Sequence, residues 1–127
     1  METSKFRLLI VDDESDILEL MIRVLEPDGY DILTARDGVD ALAILRDPLP
    51  SVIISDLRMP RMSGFEFLTI VRRQFPRVPV LAISGEFSGN ELPAGVLADA
   101  YLPKGRYTMD QLRSTVSELI AAPPVRC

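Results

Sequence analysis

The sequence contains no histidine and no tryptophan, and its one cysteine is Cys127, the last residue. Without histidine, the chain cannot build a His-based catalytic triad, a histidine metal site or a phosphohistidine relay of its own. A single cysteine cannot form a disulfide within the chain, so folding does not depend on an oxidising compartment. Any phosphohistidine that reacts with this protein must therefore belong to another molecule.

Positive charge is also scarce, because 14 Lys and Arg side chains stand against 19 Asp and Glu side chains, for a net charge of −5. An acidic domain without a basic stripe is poorly suited to direct contact with nucleic acid or an anionic membrane. No apolar stretch approaches the roughly 18 residues that cross a bilayer, and residues 1–7 do not resemble a signal peptide. With 127 residues, 47% of them hydrophobic, we expect one globular domain in the cytoplasm.

Short apolar runs alternate with helical patterns along the whole chain. The runs predict five strands, at residues 6–11, 30–35, 52–55, 78–83 and 100–103. Apolar residues at helical spacing predict helices within residues 17–25, 39–45, 65–75 and 108–120, the last with Thr108 as N-cap and Gln111 completing a capping box. Between the last two strands, three glycines and Pro93 favour only a short or irregular helix, near residues 93–98. The pattern is typical of an α/β fold in which helices cover both faces of a parallel sheet.

Polar side chains suited to phosphoryl chemistry follow four of the predicted strands. Asp12 and Asp13 follow the first, Asp56 the third, Ser84 the fourth and Lys104 the fifth. The carboxyl ends of parallel strands share one edge of a sheet, where ligands of such folds bind, so these side chains should lie close together. Three neighbouring carboxylates repel one another, and a hard divalent cation such as Mg²⁺ relieves that repulsion.

These residues form a coherent set for transfer of a phosphoryl group to an aspartate. Asp56 is the candidate nucleophile, while Lys104 and Ser84 can neutralise and hydrogen-bond the phosphoryl oxygens. Taken singly, each residue has a plainer explanation: a helix-capping acid, a surface lysine or a turn serine. Their joint occurrence at successive strand ends favours the phosphoryl site.

The chain resembles the receiver domain of two-component response regulators along nearly its whole length. Five segments carry the resemblance, and they occur in the order typical of the family: residues 9–14 (LIVDDE), 35–42 (ARDGVDAL), 56–66 (DLRMPRMSGFE), 84–85 (SG) and 100–104 (AYLPK). The resemblance implies a single five-stranded parallel sheet in the order 2-1-3-4-5, as in the chemotaxis regulator of this family.

The resemblance also implies roles for individual residues. Asp56 would be the phosphoacceptor, and Mg²⁺ would be held by Asp12, Asp13, Asp56 and the backbone carbonyl of Arg58. Lys104 would bind the phosphoryl group.

Signalling would follow from a switch pair, Ser84 and Tyr101. On phosphorylation the serine hydroxyl would move to the phosphate and the tyrosine ring would turn inward. Gly105 follows the lysine where the family usually has proline, so the peptide bond after Lys104 is expected to be trans.

The implied function is a phosphorylation-activated signalling module and not an enzyme in the usual sense, apart from self-catalysed phosphoacceptance and autodephosphorylation. Its partners would be a histidine kinase or histidine phosphotransfer protein and a downstream protein or output domain, with the chain a monomer or weak dimer. We expect residues 1–121 to form the receiver domain and residues 122–127 a tail or the start of a linker.

Three other functions compete with this interpretation. A degenerate receiver would act as a phosphorylation-independent interaction module. The complete set of acids, acceptor and lysine argues against it, whereas the short or irregular fourth helix expected from Pro93 and the three glycines argues for it. A flavodoxin-like nucleotide domain would need a glycine- or hydroxyl-rich phosphate loop after the first strand, where this chain has residues 12–14, all acidic. A haloacid-dehalogenase-type phosphatase would carry its aspartate nucleophile on the first strand with a second aspartate two residues later, but position 14 is Glu.

Overall fold

The computed structural model describes residues 6–46, 48–58, 61–85 and 98–122. Within these residues the strands are β1 (Arg7–Val11), β2 (Asp31–Ala35), β3 (Val52–Asp56), β4 (Val80–Ser84) and β5 (Ala100–Pro103). The α-helices are α1 (Ser15–Leu25), α2 (Gly38–Ile44), α3 (Gly64–Gln74) and α4 (Met109–Ala121), and a 3₁₀ turn at Glu26–Asp28 follows α1.

The five strands form one parallel sheet in the order β2-β1-β3-β4-β5. This confirms the predicted fold class and strand order. Starting from β1, the chain adds β2 on one side and β3, β4 and β5 on the other. Open α/β sheets bind their ligands in the crevice at the carboxyl ends of the strands beside such a change of side, here between β1 and β3.

Helices cover both faces of the sheet, so the strands are buried on both sides. Along β1, Leu9 and Val11 face the side covered by α2 and α3, while Leu8 and Ile10 face the side covered by α1 and α4. Every residue of β3 and of β4 is buried. The continuous apolar runs in the sequence are therefore explained by burial on two faces.

The strand β4 starts two residues later than its apolar run suggested. Pro79 has no backbone N–H and cannot take part as a donor in the ladder. Val78 instead donates its N–H to the carbonyl of Phe75, at an N–O distance of 3.2 Å, and so belongs to the turn after α3. The strand then continues to Ser84, which places this residue at its carboxyl end.

The start of α4 agrees with the sequence, because Thr108 accepts a hydrogen bond from Gln111 N and Gln111 accepts one from Thr108 N. The helix predicted near residues 93–98 lies outside the described residues except for Ala98, and so does the tail from residue 123 onward. Among the helices that are described, none is both long enough and apolar enough to cross a bilayer.

Candidate functional site

Three carboxylates meet at the carboxyl edge of the sheet, between β1 and β3. Asp12 and Asp13 follow β1 directly, and Asp56 is the last residue of β3, the strand that pairs with β1. Each of the three offers an oxygen atom that lies within 4.8 Å of the other two. Asp12 and Asp56 are only 2% and 4% exposed, so their charges have little water around them. Oxygen ligands at this spacing suit a hard divalent cation such as Mg²⁺.

Lys104 supplies positive charge to this cluster from the end of β5. Its Nζ lies 2.8 Å from Asp56 Oδ2, 2.9 Å from Glu14 Oε1 and 3.5 Å from Asp12 Oδ2. One ammonium group therefore contacts three carboxylates, two of them buried. Because carboxylates still outnumber cations here, the site retains negative charge that a metal ion could balance.

Burial and charge shift the pKa values of two of these groups. Burial is the main cause that raises the pKa of Asp12 to about 6, and the nearby Asp56 charge adds to it, against the opposing effects of the Glu14 backbone hydrogen bond and of Lys104. Partial burial lowers the pKa of Lys104, but its hydrogen bonds to Asp56 and Glu14 and the carboxylate charges outweigh this and raise it above its usual value. Lys104 is therefore a fixed positive charge, whereas Asp12 titrates close to neutral pH.

Backbone groups complete the surroundings of Asp56. Its Oδ1 accepts a hydrogen bond from the backbone N–H of Arg58, with 3.2 Å between nitrogen and oxygen.

A pocket of about 240 Å³ lies over the cluster and is lined by Asp13, Glu14, Asp56, Arg58 and Lys104. Pockets that enclose drug-sized ligands span roughly 300–1,000 Å³, so this polar pocket suits a smaller group.

Ser84 and Tyr101 lie next to each other beside this cluster. Ser84 is fully buried at the end of β4, and its backbone carbonyl accepts hydrogen bonds from Lys104 N and from the Tyr101 hydroxyl, each at 3.0 Å. The tyrosine ring is partly buried against the hydrophobic cluster on the α2 and α3 side of the sheet. The backbone of Ser84 thus connects the residue that carries the ammonium group with the aromatic residue.

The structure brings together all of the residues that the sequence singled out. Asp12, Asp13, Asp56 and Lys104 share one cluster, the backbone of Arg58 borders it, and Ser84 and Tyr101 adjoin it. The sequence did not predict the contact of Glu14 with Lys104, although Glu14 stands in the same acidic run. Its position as the third consecutive acid after a buried strand was the available signal.

Comparison with known proteins places the chain in a family. A profile of the response regulator receiver domain matches residues 8–116. The chain belongs to this family. The solved receiver domain of the Francisella response regulator 1452 superposes with a TM-score of 0.84 and 29% identity, covering 94% of this chain and 100% of that one. The chemotaxis response regulator CheY4 of Vibrio cholerae gives a TM-score of 0.81 at 33% identity, covering 91% and 99%.

Curated relatives are longer proteins. The nitrogen assimilation regulatory protein NtrX of Azorhizobium caulinodans is 42% identical over 96 residues, which are 74% of this chain and 21% of that protein. The response regulator MprA of Mycobacterium avium is 33% identical over 116 residues, or 90% of this chain and 50% of that protein. The chain thus spans half or less of the length of these relatives.

Proposed function

We propose that this receiver domain accepts a phosphoryl group on Asp56 from a phosphohistidine of a histidine kinase or phosphotransfer protein. The observation that carries the proposal is the contact of 2.8 Å between Lys104 Nζ and Asp56 Oδ2 inside a cluster of carboxylates. A carboxylate that is to attack phosphorus must approach three anionic oxygens, so neutralising charge beside it matters most. Lys104 supplies such a charge without depending on pH.

The bond changes follow from the chemistry of the two partners. An oxygen of the Asp56 carboxylate forms a bond to phosphorus while the bond from phosphorus to the donor's imidazole nitrogen breaks, and the electron pair stays on that nitrogen. The product is an acyl phosphate, which water later hydrolyses to restore the carboxylate and release inorganic phosphate. Lys104 can turn from Asp56 towards a phosphoryl oxygen, because its ammonium group already borders the pocket.

The acids around Asp56 suit Mg²⁺ by donor type and spacing. Asp12, Asp13, Asp56 and the backbone carbonyl of Arg58 would hold the ion. When bound, it would supply positive charge to the clustered carboxylates and the incoming phosphoryl oxygens. The residues themselves fix the approach, since Asp56 is held by the Arg58 N–H on one oxygen and by Lys104 on the other.

The signal would leave the site through Ser84 and Tyr101. The serine lies at the end of β4 beside the pocket, and its carbonyl is shared by Lys104 N and the Tyr101 hydroxyl. A hydroxyl drawn to a phosphoryl group would therefore disturb the contacts of the tyrosine ring. The ring's environment would then change on the surface that downstream partners read.

We further propose that residues 1–121 form the signalling domain and that residues 122–127 begin a tail or linker, since α4 ends at Ala121. The protein would work in the cytoplasm as a monomer or weak dimer, with a downstream protein or an output domain as its partner. Its acidity argues against direct contact with nucleic acid.

Acetyl phosphate, a small phosphodonor, tests the assignment. The unaltered protein should gain one phosphoryl group in the presence of Mg²⁺, and hydroxylamine should remove it because it is an acyl phosphate. Asp56→Asn should not be labelled, whereas Asp31→Asn, a change at the half-buried start of β2, should be labelled normally. Undiminished labelling of Asp56→Asn would refute the acceptor. No labelling of the unaltered protein would favour the degenerate receiver.

A further inference from the structure

Arg61 has an unusual backbone conformation in the loop between β3 and α3. Its φ is +67°, and within the described residues it is the one non-glycine residue with a positive φ. Side chains rarely adopt this region unless surrounding contacts hold them there. The loop carries Arg58, whose N–H contacts Asp56.

The guanidinium of Arg61 is held by two aspartates of the neighbouring α2 region. Arg61 Nε lies 2.7 Å from Asp37 Oδ2, and Arg61 Nη2 lies 3.1 Å from Asp40 Oδ1. Asp37 is itself fixed, because it caps α2 by accepting a hydrogen bond from Asp40 N at 2.8 Å and is only 5% exposed. The Asp40 backbone hydrogen bond, together with Arg61, lowers the pKa of Asp37, so its charge persists.

The next residue along the chain makes an apolar contact with the same helix end. A Cβ built on Gly38 would lie 2.8 Å from Met62 Sδ, so the Met62 side chain packs directly against Gly38. Arg61 and Met62, just before α3, therefore both contact the N-terminus of α2. At the base of the loop, Gly64 N donates to the Leu57 carbonyl at 3.1 Å. The described ends of this connection, residues 57–58 and 61–64, are therefore held to each other and to α2.

We propose that Arg61 is a positioning residue for the metal site. Its ion pairs with Asp37 and Asp40 fix the segment just before α3 and, through the chain that joins this segment to Arg58, keep the Arg58 backbone beside Asp56, which raises the affinity for Mg²⁺. This inference rests on the proposed function, because it takes the Arg58 carbonyl as a ligand. Groups that orient metal ligands without touching the ion commonly change affinity tenfold or more.

An effect of Arg61 through its charge alone would change the Mg²⁺ affinity in the opposite direction, so the two roles can be distinguished. If Arg61 acted only through its charge, removing it would leave the acidic site more negative and would tighten Mg²⁺ binding. If the ion pairs contributed nothing to the position of Arg58, removing them would leave the Mg²⁺ affinity unchanged, since many exposed ion pairs have no measurable effect. The positioning role alone predicts weaker binding.

Isothermal titration calorimetry with Mg²⁺ alone measures this affinity. We expect Arg61→Gln to bind Mg²⁺ about three- to tenfold more weakly than the unaltered protein, below the usual range because Arg61 is half exposed. Arg61→Lys keeps the charge but cannot bridge two carboxylates with a planar fork, so its loss should be intermediate.

Arg113→Gln is the matched control. Arg113 is also about half exposed and contacts Asp28 through two nitrogens, at 3.0 and 3.1 Å, but it joins α4 to the turn after α1. Its loss should leave Mg²⁺ affinity unchanged. Urea unfolding of each variant shows that it is folded at the titration temperature.

Equal or tighter Mg²⁺ binding by Arg61→Gln would overturn the proposal while leaving the phosphoacceptor assignment standing. A comparable loss in Arg113→Gln would also overturn it, because the effect would then be a general one of stability. If the unaltered protein bound no Mg²⁺, both this proposal and the proposed metal site would fail. Labelling of Asp56 by acetyl phosphate remains a separate readout of the acceptor.

Discussion

Replacing Lys104 by methionine tests the charge balance on which the site depends. The substitution keeps the unbranched stem, one atom shorter, and removes the cation that contacts Asp12, Glu14 and Asp56. Two of these carboxylates are buried and would lose a cationic partner. We therefore expect the variant to be less stable near neutral pH, with a loss that depends on pH.

The magnitude follows from the burial of the partners. Removing one member of a buried ion pair typically costs about 3–5 kcal/mol of unfolding free energy. Lys104 is 23% exposed and Glu14 58% exposed, so screening reduces this to about 2–4 kcal/mol. Such a loss is a large part of the roughly 5–15 kcal/mol by which a domain is stable.

The sign of the pH dependence follows from Asp12. Its pKa of about 6 in the folded protein lies above its usual value, so the folded state binds this proton more tightly than the unfolded chain. Stability from this group is present at low pH and is lost as pH rises through about 6. Without Lys104 the pKa of Asp12 rises further. The difference in unfolding free energy between the unaltered protein and the variant should therefore be larger at about pH 8 than at about pH 5.5.

Urea unfolding followed by far-ultraviolet circular dichroism measures the difference, since the chain has no tryptophan. Arg106→Gln, which removes an exposed charge two residues away, is the control and should change stability little at either pH. Saturating Mg²⁺ should recover part of the loss in Lys104→Met at the higher pH, because the ion replaces the missing charge. A loss that is equal at both pH values, or larger at the lower one, would refute the reasoning.

Three further predictions concern the same edge of the sheet. Mg²⁺ at ten times its dissociation constant should add about 1.4 kcal/mol of stability, seen as a higher melting temperature, and Asp13→Asn should abolish this gain. Mg²⁺ affinity measured by calorimetry should fall about tenfold per pH unit below pH 6, where Asp12 takes up a proton that competes with the ion. Gly64→Ala should lower the free energy of unfolding in urea by roughly 3 kcal/mol, more than Gly38→Ala. The added Cβ at position 64 would overlap the Leu57 backbone, whereas at Gly38 the nearest atom belongs to a flexible methionine side chain. Similar losses at the two glycines would contradict that explanation.

The sheet and its polar edge could be predicted from the sequence because both depend on local patterns. A run of apolar residues that ends in an acid places the acid at the strand's carboxyl end, and the parallel arrangement then gathers such ends. Asp12 and Asp56 came together in this way. The start of α4 was predictable for the same reason. Thr108 and Gln111 are three residues apart, and the side chain of each accepts a hydrogen bond from the backbone N–H of the other.

The contacts that the sequence did not predict join long side chains across large separations. Lys104 meets Glu14 at 2.9 Å although 90 positions separate them, and Arg61 meets Asp37 across 24 positions. Neither contact has a periodic signature, because each is made by a single flexible side chain. The positive φ of Arg61 could not be predicted from the sequence either, since arginine has no preference for that conformation.

Asp12 shows how this site works against the stability of its own fold. Its raised pKa means that burying its charge costs the folded state free energy at neutral pH. The cost is tolerated because β1 and β3 are anchored by apolar residues on both faces of the sheet. The same unfavourable charge would give a bound cation its binding energy, because an ion that entered the cluster would relieve the repulsion. A neutral residue at position 12 would avoid this cost and would leave one carboxylate fewer to hold a metal ion.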